Sequence, residues 1–384
     1  MAVDEPGPMP TGPRTPVGGT MVGLVCVNDL FSTSAPAWRP LGAELQHAAD
    51  ITVLQALAPE IPALAMHLLA QELAAPAITG LISPLNDALV RRVVELSAAQ
   101  HGLDLARACW VAFGSEGRAE QTIATDQDNG LVLDDTVGEQ ERQRWLRMAR
   151  EANQVLAACG FPLCRGGVMA DEPACSQTLA AWSAAFRHWM DQCEPEDLLK
   201  AGVFFDLRPI AGRAELASPL RMLIREHAPQ RPRFLRLMAE HSLQFRPALD
   251  WHGGLDAQSL EGRRLVDLKL HGSAVFVDAA RCLALAHGLG ALGTTQRLRA
   301  AGQAMGVPRH EFEGWAGAFE VLQHLRLRAQ VSPAPCPQAA QASARHPNHI
   351  DLDDLNDLEH RVLREVMHLA RELQQRLEMD WVRP

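Results

Sequence analysis

Hydrophobic and polar positions along the chain follow two different periods. From about Leu41 to Gly102, and again from about residue 220 onward, apolar residues recur at steps of three and four, which is typical of amphipathic helices. The middle of the chain has shorter apolar runs, which predict strands near 108–113, 128–133 and 203–208 and helices near 137–158 and 176–191. We therefore predict an α+β fold, with a small mixed sheet flanked by an N-terminal helical segment and a C-terminal helical bundle.

Some of the predicted helices have recognisable ends or faces. Ser83 followed by Pro84 predicts a helix start, because serine is a good N-cap and proline fits the first turn. The buried face of that helix would be formed by Leu85, Leu89, Val93 and Leu96. The last helix has the clearest pattern, with apolar residues at Leu352, Leu355, Leu358, Val362, Val366, Leu369 and Leu373. An aromatic set at helical spacing is predicted to belong to the core: Trp182, Phe186 and Trp189.

Two segments look unlike the rest. Residues 1 to about 20 are rich in proline and glycine and are predicted to be disordered, and a short apolar segment, MVGLVCVNDLF, follows them. The low-complexity segment VSPAPCPQAAQASARHPNH is predicted to be a mobile connection before the last helix. We therefore divide the chain into residues 1–40, 41–105, 106–219 and 220–384.

The candidate chemistry is concentrated in FGSEGRAEQTIATDQDNGLVL, from Phe113 to Leu133. Gly114 and Ser115 follow an apolar strand, and a glycine there lets the backbone approach a phosphate closely. Asp126 and Asp128 are two residues apart, so along a strand both would point to one face and could bind the same Mg²⁺ or Mn²⁺ ions. This combination predicts a metal-dependent site for a nucleoside triphosphate; the alternative is a solvated acidic turn.

The segment GSEGRAEQTIATDQDNG resembles the signature of bacterial nucleotidyltransferases that are often found behind CBS and cyclic-nucleotide-binding modules. They are similar to the uridylyl- and adenylyltransferases of nitrogen regulation, within the polymerase-beta-like superfamily. The resemblance covers residues 42 to 384 and includes the pattern of a helical C-terminal substrate-binding domain. The MVGLVCVNDLF segment resembles the last strand and helix start of a CBS module, and we interpret it as a remnant of such a module; the alternative is a single incidental strand. Gln127 and Asn129 depart from the broad superfamily pattern, which prefers apolar residues there, although this family shares TDQDN.

A third carboxylate is expected on a neighbouring strand, where it would complete the second metal site and accept a proton. We assign it to Asp206 in VFFDL; the alternatives for Asp206 are an ion pair with Arg208 or a turn cap, and Asp134 and Asp171 are competing candidates. Arg118 is predicted to face the triphosphate, because a guanidinium pairs with phosphate oxygens. Glu120 and Gln121 would orient that arginine or cap the short helix, and neither is expected to bind metal. Arg165 is a second phosphate candidate.

Composition narrows the choice of partners. The net charge of −10 disfavours a nucleic-acid substrate, so a protein or small-molecule acceptor fits better. The chain has no tyrosine, so a tyrosine acceptor would have to lie in another molecule. The eight cysteines form no CxxC pair, which suits a reducing cytoplasm. We predict no signal peptide and no membrane span, and a homo-oligomer is left open.

Two further patterns need an interpretation. Gly288, Gly290 and Gly293 spell GxGxxG, but a dinucleotide fingerprint needs a preceding strand, and DAARCLALAH predicts a helix that Gly288 would cap. The polar residues Asp267, Lys269 and His271 interrupt an apolar stretch. Either this segment faces the active-site cleft, or it is an ordinary exposed helix face.

The sequence therefore predicts a cytoplasmic transferase that moves a nucleoside monophosphate from a triphosphate, with ATP favoured, to a hydroxyl of its acceptor, with a role in signalling. The catalytic and metal-binding residues would be Asp126, Asp128 and Asp206, and the nucleotide-binding residues Gly114, Ser115 and Arg118. The alternative function is a regulatory protein that binds nucleotides without catalysis.

Overall fold

The computed structural model describes residues 41–260, 262–331 and 346–383. The disorder and the CBS-like strand predicted within residues 1–40 lie outside the described residues, as does most of the low-complexity connection. The described helices are α1 (Leu41–His47), α2 (Ile51–Leu57), α3 (Glu60–Ala70), α4 (Ala75–Gln100), α5 (Gly114–Gly117), α6 (Glu139–Ala158), α7 (Leu179–Gln192), α8 (Pro195–Phe204), α9 (Ser218–His227), α10 (Pro232–Ser242), α11 (Ala274–Ala286), α12 (Thr294–Ala304), α13 (Arg309–Val331) and α14 (Asp357–Leu377). The described strands are β1 (Ala108–Ala112), β2 (Asn129–Leu133), β3 (Ser176–Thr178), β4 (Arg208–Gly212), β5 (Gln258–Leu260), β6 (Arg263–Asp267) and β7 (His349–Asp351).

The central sheet has four strands in the order β3-β2-β1-β4. β1 pairs antiparallel with both β2 and β4, while β2 and β3 run parallel, so the sheet is mixed as predicted. All five residues of β1 and all five of β2 are buried, because helices cover the sheet. The predicted aromatic set Trp182, Phe186 and Trp189 packs in the core beside this sheet. The predicted α+β class is confirmed.

The N-terminal helices differ from the prediction at Ser83. Helix α4 is continuous over 26 residues, with Pro84 inside it, so the predicted helix start at Ser83 was wrong. The Ser83 hydroxyl instead donates to the carbonyl of Ala119, 3.1 Å away, and the serine is buried. Tertiary packing therefore outweighs the backbone hydrogen bond that a proline removes from a helix interior.

Residues 51–70 are apolar enough, by length and composition alone, to cross a membrane. They form two helices, α2 and α3, and not one. Their apolar residues Leu54, Ile61 and Leu68 are buried in the protein. The core helices of a folded domain have this same composition, so the segment packs here as part of the helical layer around α4.

The predicted strand at 203–208 was wrong. Residues 195–204 form helix α8, and the strand β4 begins only at Arg208. Pro195 and the capping box of Glu194 and Asp197 start that helix, and Leu198, Ala201 and Phe204 form its buried face. A short apolar run such as VFFDL does not by itself distinguish a buried helix from a strand. Asp206 consequently lies in the turn between α8 and β4.

The C-terminal part is mostly helical, as predicted, but it also contains a small sheet that the pattern did not indicate. Its strands lie in the order β5-β6-β7 and pair antiparallel. A π-helical turn over Lys269–Ser273 joins β6 to α11. Helix α11 runs into His287, and Gly288 follows with a positive φ of 59°. The GxGxxG segment is therefore a helix end, as predicted.

Candidate functional site

The predicted turn and the aspartate pair meet at one edge of the central sheet. β1 ends at Ala112, which lies opposite Asn129 at the start of the antiparallel strand β2. The amide of Phe113 donates to the carbonyl of Asp128, 2.8 Å away. This pairing places Gly114 and Ser115 directly beside the residues that precede β2.

Gly114 permits a close contact between the backbone and the Asp128 carboxylate. Its φ is +54°, and a Cβ atom at this position would lie only 2.7 Å from Oδ2 of Asp128. Any larger residue would therefore be strained and would also displace the carboxylate. Gly117, at the other end of α5, is similar, since a Cβ there would lie 1.7 Å from the carbonyl oxygen of Asp206. The two glycines thus serve close contacts within the protein.

The residues around the aspartates alternate between two environments. Asp126 is exposed, Asp128 is half-buried, and both line the same cleft. Gln127 points away and is buried, where its amide donates to the carbonyls of Asn153 and Phe161 at 3.0 and 2.8 Å. The side-chain oxygen of Asn129 accepts from the amide of Ala170. Gln127 and Asn129 therefore bind the backbone of neighbouring segments, and this explains why these two positions are not apolar.

The carboxylates at this edge repel one another. Burial and the neighbouring Asp126 raise the pKa of Asp128 to about 7. Burial, with contributions from Asp87 and Asp128, raises the pKa of Glu116 to about 8, although Arg208 opposes the shift. Glu116 is therefore neutral at pH 7, while Asp128 is poised between its two forms. A bound cation would relieve the repulsion.

The donor set fits a hard divalent cation. Asp126 and Asp128 offer carboxylate oxygens, the ligands preferred by Mg²⁺ and Mn²⁺, and water can reach them from the cleft. The alternation around Gln127 turns both side chains toward the same space. The residues present therefore fit the predicted metal ions.

Asp206 has a different environment from the one predicted. Its side chain is fully buried and forms ion pairs with Arg118 at 2.5 Å, Arg281 at 2.8 Å and Arg297 at 2.6 Å. Burial opposes its charged form, but the three guanidinium groups outweigh this effect and hold its pKa well below the usual range. It does not pair with Arg208, which instead binds Asp87. Because both oxygens are occupied by arginines, this arrangement argues against a metal at Asp206.

Arg118 lines the cleft, but its guanidinium is already bound. It donates from Nε to Glu120 and from Nη1 to Asp206, at 2.8 and 2.5 Å. Glu120 thus orients this arginine, as predicted. Glu120 also accepts from the backbone amide and hydroxyl of Thr294 at the start of α12, where the helix dipole favours a negative charge.

The remaining candidates lie on surfaces or in local turns. Asp134 accepts from Thr136 and forms an ion pair with Arg213 at the other end of β2. Asp171 accepts from the amide of Asn153, 2.8 Å away. Arg165 is exposed and is not among the residues that line the cleft.

The C-terminal helices form the opposite wall of the cleft, whose volume is about 360 Å³. This wall carries both charged and amide side chains, namely Lys269, Asp278, Arg281, Gln323 and Arg326. The volume of the cleft lies in the range usual for ligand sites. The cleft is thus built from both halves of the protein, with carboxylates on the sheet side and mainly cations on the helical side.

Of the polar trio in the C-terminal part, Lys269 lines the cleft. Asp267 caps the π-helical turn by accepting from the amides of Lys269 and Leu270 at 2.8 and 2.9 Å. The ligand atoms of Asp267, His346 and His349 also lie within 4.8 Å of one another. His271 bonds through Nδ1 to the carbonyl of Arg246. The expectation that this segment faces the cleft is therefore confirmed for Lys269.

Several residues at this site were missed from the sequence. Arg281 and Arg297 lie on buried faces of α11 and α12, and Arg326 lies on the buried face of α13. A signal existed, because an arginine inside an apolar helical face must find a partner for its charge. The sequence does not say which partner.

A mixed sheet with a close glycine turn and paired aspartates, facing a helical wall across a cleft, is the arrangement that the sequence predicted for a nucleotidyltransferase. Two family models match the chain. The model described as putative nucleotidyltransferase DUF294 matches residues 59–196, and putative nucleotidyltransferase substrate binding domain matches residues 232–381. The chain therefore belongs to this family of nucleotidyltransferases and is a transferase. No curated protein matches it.

Proposed function

We propose that the protein transfers a nucleoside monophosphate from a triphosphate, with ATP favoured, to a hydroxyl of a protein or small-molecule acceptor. The observation that carries the proposal is the pair Asp126 and Asp128 on the cleft wall, where burial and mutual repulsion raise the pKa of Asp128 to about 7. Such a pair is costly without a ligand. It is explained by Mg²⁺ or Mn²⁺ ions that accompany a nucleotide.

In this proposal each residue has a distinct role. Asp126 and Asp128 hold the metal ions, which would polarise the α-phosphorus and stabilise the leaving pyrophosphate when bound. Gly114 keeps the backbone close to Asp128. The hydroxyl oxygen of Ser115 lies 3.5 Å from the hydroxyl oxygen of Thr125, the residue before Asp126. The acceptor oxygen forms its bond to the α-phosphorus as the bond to pyrophosphate breaks, and the proton of the acceptor hydroxyl passes to solvent in the cleft. Asp206 and Arg118 belong to the ion-pair network that joins the sheet side of the cleft to its helical side.

The acidic net charge of −10 supports an acceptor other than nucleic acid. The likeness of the signature to the transferases of nitrogen regulation supports a signalling role in the cytoplasm. The domain limits that we propose are 1–40, 41–105, 106–219 and 220–384; the two matched models cover residues 59–196 and 232–381.

Transfer can be measured with α-labelled triphosphates, Mg²⁺ or Mn²⁺, and a cell extract as the source of acceptor. We expect label on an acceptor together with release of pyrophosphate, and loss of both in Asp126→Asn and Asp128→Asn. Asp134→Asn is the matched control, because this carboxylate follows the same strand at its other end. Undiminished labelling by both aspartate variants would overturn the assignment. Nucleotide binding without pyrophosphate release would favour the regulatory alternative.

A further inference from the structure

Arg326 is a buried cation on the cleft wall without an acidic partner among the described residues. Its side chain is only 9% exposed. Its hydrogen bonds go to neutral amide oxygens: Nη1 donates to Gln323 at 2.6 Å, and Nε and Nη2 donate to Asn348 at 3.2 and 3.1 Å. Burying a charge in this way is costly, so burial lowers the pKa of Arg326 to about 10.

The guanidinium of Arg326 keeps capacity for a ligand. A guanidinium has five N–H groups, and the described contacts occupy three of them. Because the residue lines the cleft, the other donors are available there to an anion. At a pKa of about 10 it is still charged at neutral pH.

Lys269 brings a second cation to the same wall. It is exposed on the π-helical turn, and among the described residues its amine has no ion pair. Its charge acts on Asp128 across the cleft, where it lowers the pKa of that carboxyl against the larger effect of burial. Lys269 therefore lies near the proposed metal site, and Arg326 lies deeper on the same wall.

The other arginines of the cleft are neutralised. Arg118 is paired with Glu120 and Asp206, and Arg281 is paired with Asp206 and Asp278. Lys269 and Arg326 are therefore the cations of the cleft that can balance the charge of a bound ligand. A triphosphate with about four negative charges, two divalent ions and two carboxylates leave about two negative charges, which these two side chains would balance.

We propose that Arg326 and Lys269 bind the β- and γ-phosphates of the triphosphate, so that the C-terminal domain completes the nucleotide site and holds the leaving pyrophosphate. This inference rests on the proposed function for the identity of the nucleotide. It assigns to the helical domain a role in recognising polyphosphate, in addition to any contact with the acceptor. The planar donors of Arg326 suit bidentate pairing with phosphate oxygens, and Lys269 acts as a point charge.

The test is equilibrium binding of three probes in the presence of Mg²⁺: ATP, AMP and inorganic tripolyphosphate. We expect Arg326→Gln to weaken ATP and tripolyphosphate binding about tenfold to a hundredfold, and Lys269→Met to weaken them about threefold to tenfold. AMP binding should change little in either variant. Arg326→Lys should recover part of the loss, because it keeps the charge without the planar donors.

The chain offers a matched control for each variant. Arg328→Gln changes an arginine on the same helix that pairs with Glu359, and Lys200→Met changes the other lysine of the chain, which pairs with Glu196. Neither control should alter binding of any probe. Since Lys269 is exposed, its variant keeps the test valid even if Arg326→Gln fails to fold. The melting temperature checks folding in each case.

The outcomes separate this inference from the proposed function. Wild-type binding of tripolyphosphate in both Lys269→Met and a folded Arg326→Gln would overturn the phosphate clamp formed by these two residues, whether or not transfer is observed. No binding of tripolyphosphate by the wild-type protein would overturn it too. Clamp-dependent binding combined with an absence of nucleotidyl transfer would support the clamp and count against the proposed function.

Discussion

Two groups of buried or half-buried carboxylates lie within this protein, and they are compensated in opposite ways. Around Asp206, three arginines and three carboxylates form a closed network whose formal charges cancel. Around Asp128, by contrast, acids lie beside acids, and the pKa values rise to about 7 and about 8 at Asp128 and Glu116. The first group is complete without a ligand, and the second is not.

The difference separates charges that are paired within the protein from charges to which we assign a function. The Asp206 network joins the turn before β4 to helices α11 and α12, so it holds the sheet side against the helical side. A charge network that is fully paired has no reason to bind an ion. Asp126 and Asp128 on one wall of the cleft carry negative charge, and Arg326 on the opposite wall carries positive charge. Neither wall supplies enough opposite charge of its own to balance these groups. The metal-bound polyphosphate that we propose would complement both.

The largest expected effect is at the closed network. Asp206→Asn should lower the free energy of unfolding by about 3–5 kcal/mol, because it leaves buried arginines without their shared partner. Urea denaturation at pH 7 measures the change. Asp128→Asn is the comparison variant, and its free energy of unfolding should be equal to or higher than that of the wild type without metal. If Asp206→Asn is as stable as the wild type, the network is not the structural link that we describe.

Gly114→Ala should have the next largest effect. The left-handed backbone at this position costs about 1–3 kcal/mol for a residue other than glycine, and the added Cβ would displace the Asp128 carboxylate. Stability should fall and metal binding should weaken together, as measured by denaturation and by the thermal shift on adding Mn²⁺. Gly138→Ala is the control, since nothing lies near its added Cβ. Unchanged metal binding in Gly114→Ala would contradict the proposed closeness of backbone and carboxylate.

The metal site should depend on pH through Asp128. Its folded pKa of about 7 lies above the ordinary 3.8, so without metal its contribution to stability is lost as pH rises from near 3.8 to about 7. Metal binding requires the ionised form, so affinity for Mg²⁺ should fall about tenfold for each pH unit below 7. Thermal shifts with and without Mg²⁺ at pH 6, 7 and 8 test this sign. In Asp128→Asn the dependence should disappear, and a thermal shift that grows toward pH 6 would contradict the assignment.

The smallest effect is expected at Glu116. With its pKa raised to about 8, this side chain is already neutral at pH 7, so Glu116→Gln should change the free energy of unfolding by less than about 1 kcal/mol. Glu120→Gln should be more destabilising, because it removes a charged partner from Arg118. Denaturation of both variants at pH 7 ranks them. The reverse order would mean that Glu116 is ionised and compensated.

Sequence reasoning was most accurate where the evidence was local. β1, β2 and the buried tryptophans were predicted because short apolar runs and helical spacing are local patterns. The assignment of VFFDL to a strand was wrong because a short buried run has the same appearance in a helix. The start at Ser83 was wrong because α4 continues through Pro84, where packing around Ala119 decides the outcome.

The sequence by itself determined the local chemistry of the site: a glycine after a buried strand, and two aspartates whose spacing turns both to one side. Only the tertiary structure decided which charges are free. Arg118 and Asp206 are 88 residues apart in the chain and neutralise each other, while Arg326, from a distant helix, reaches the cleft without an acid to bind among the described residues. Charge compensation depends on distance in space, and distance along the chain does not report it.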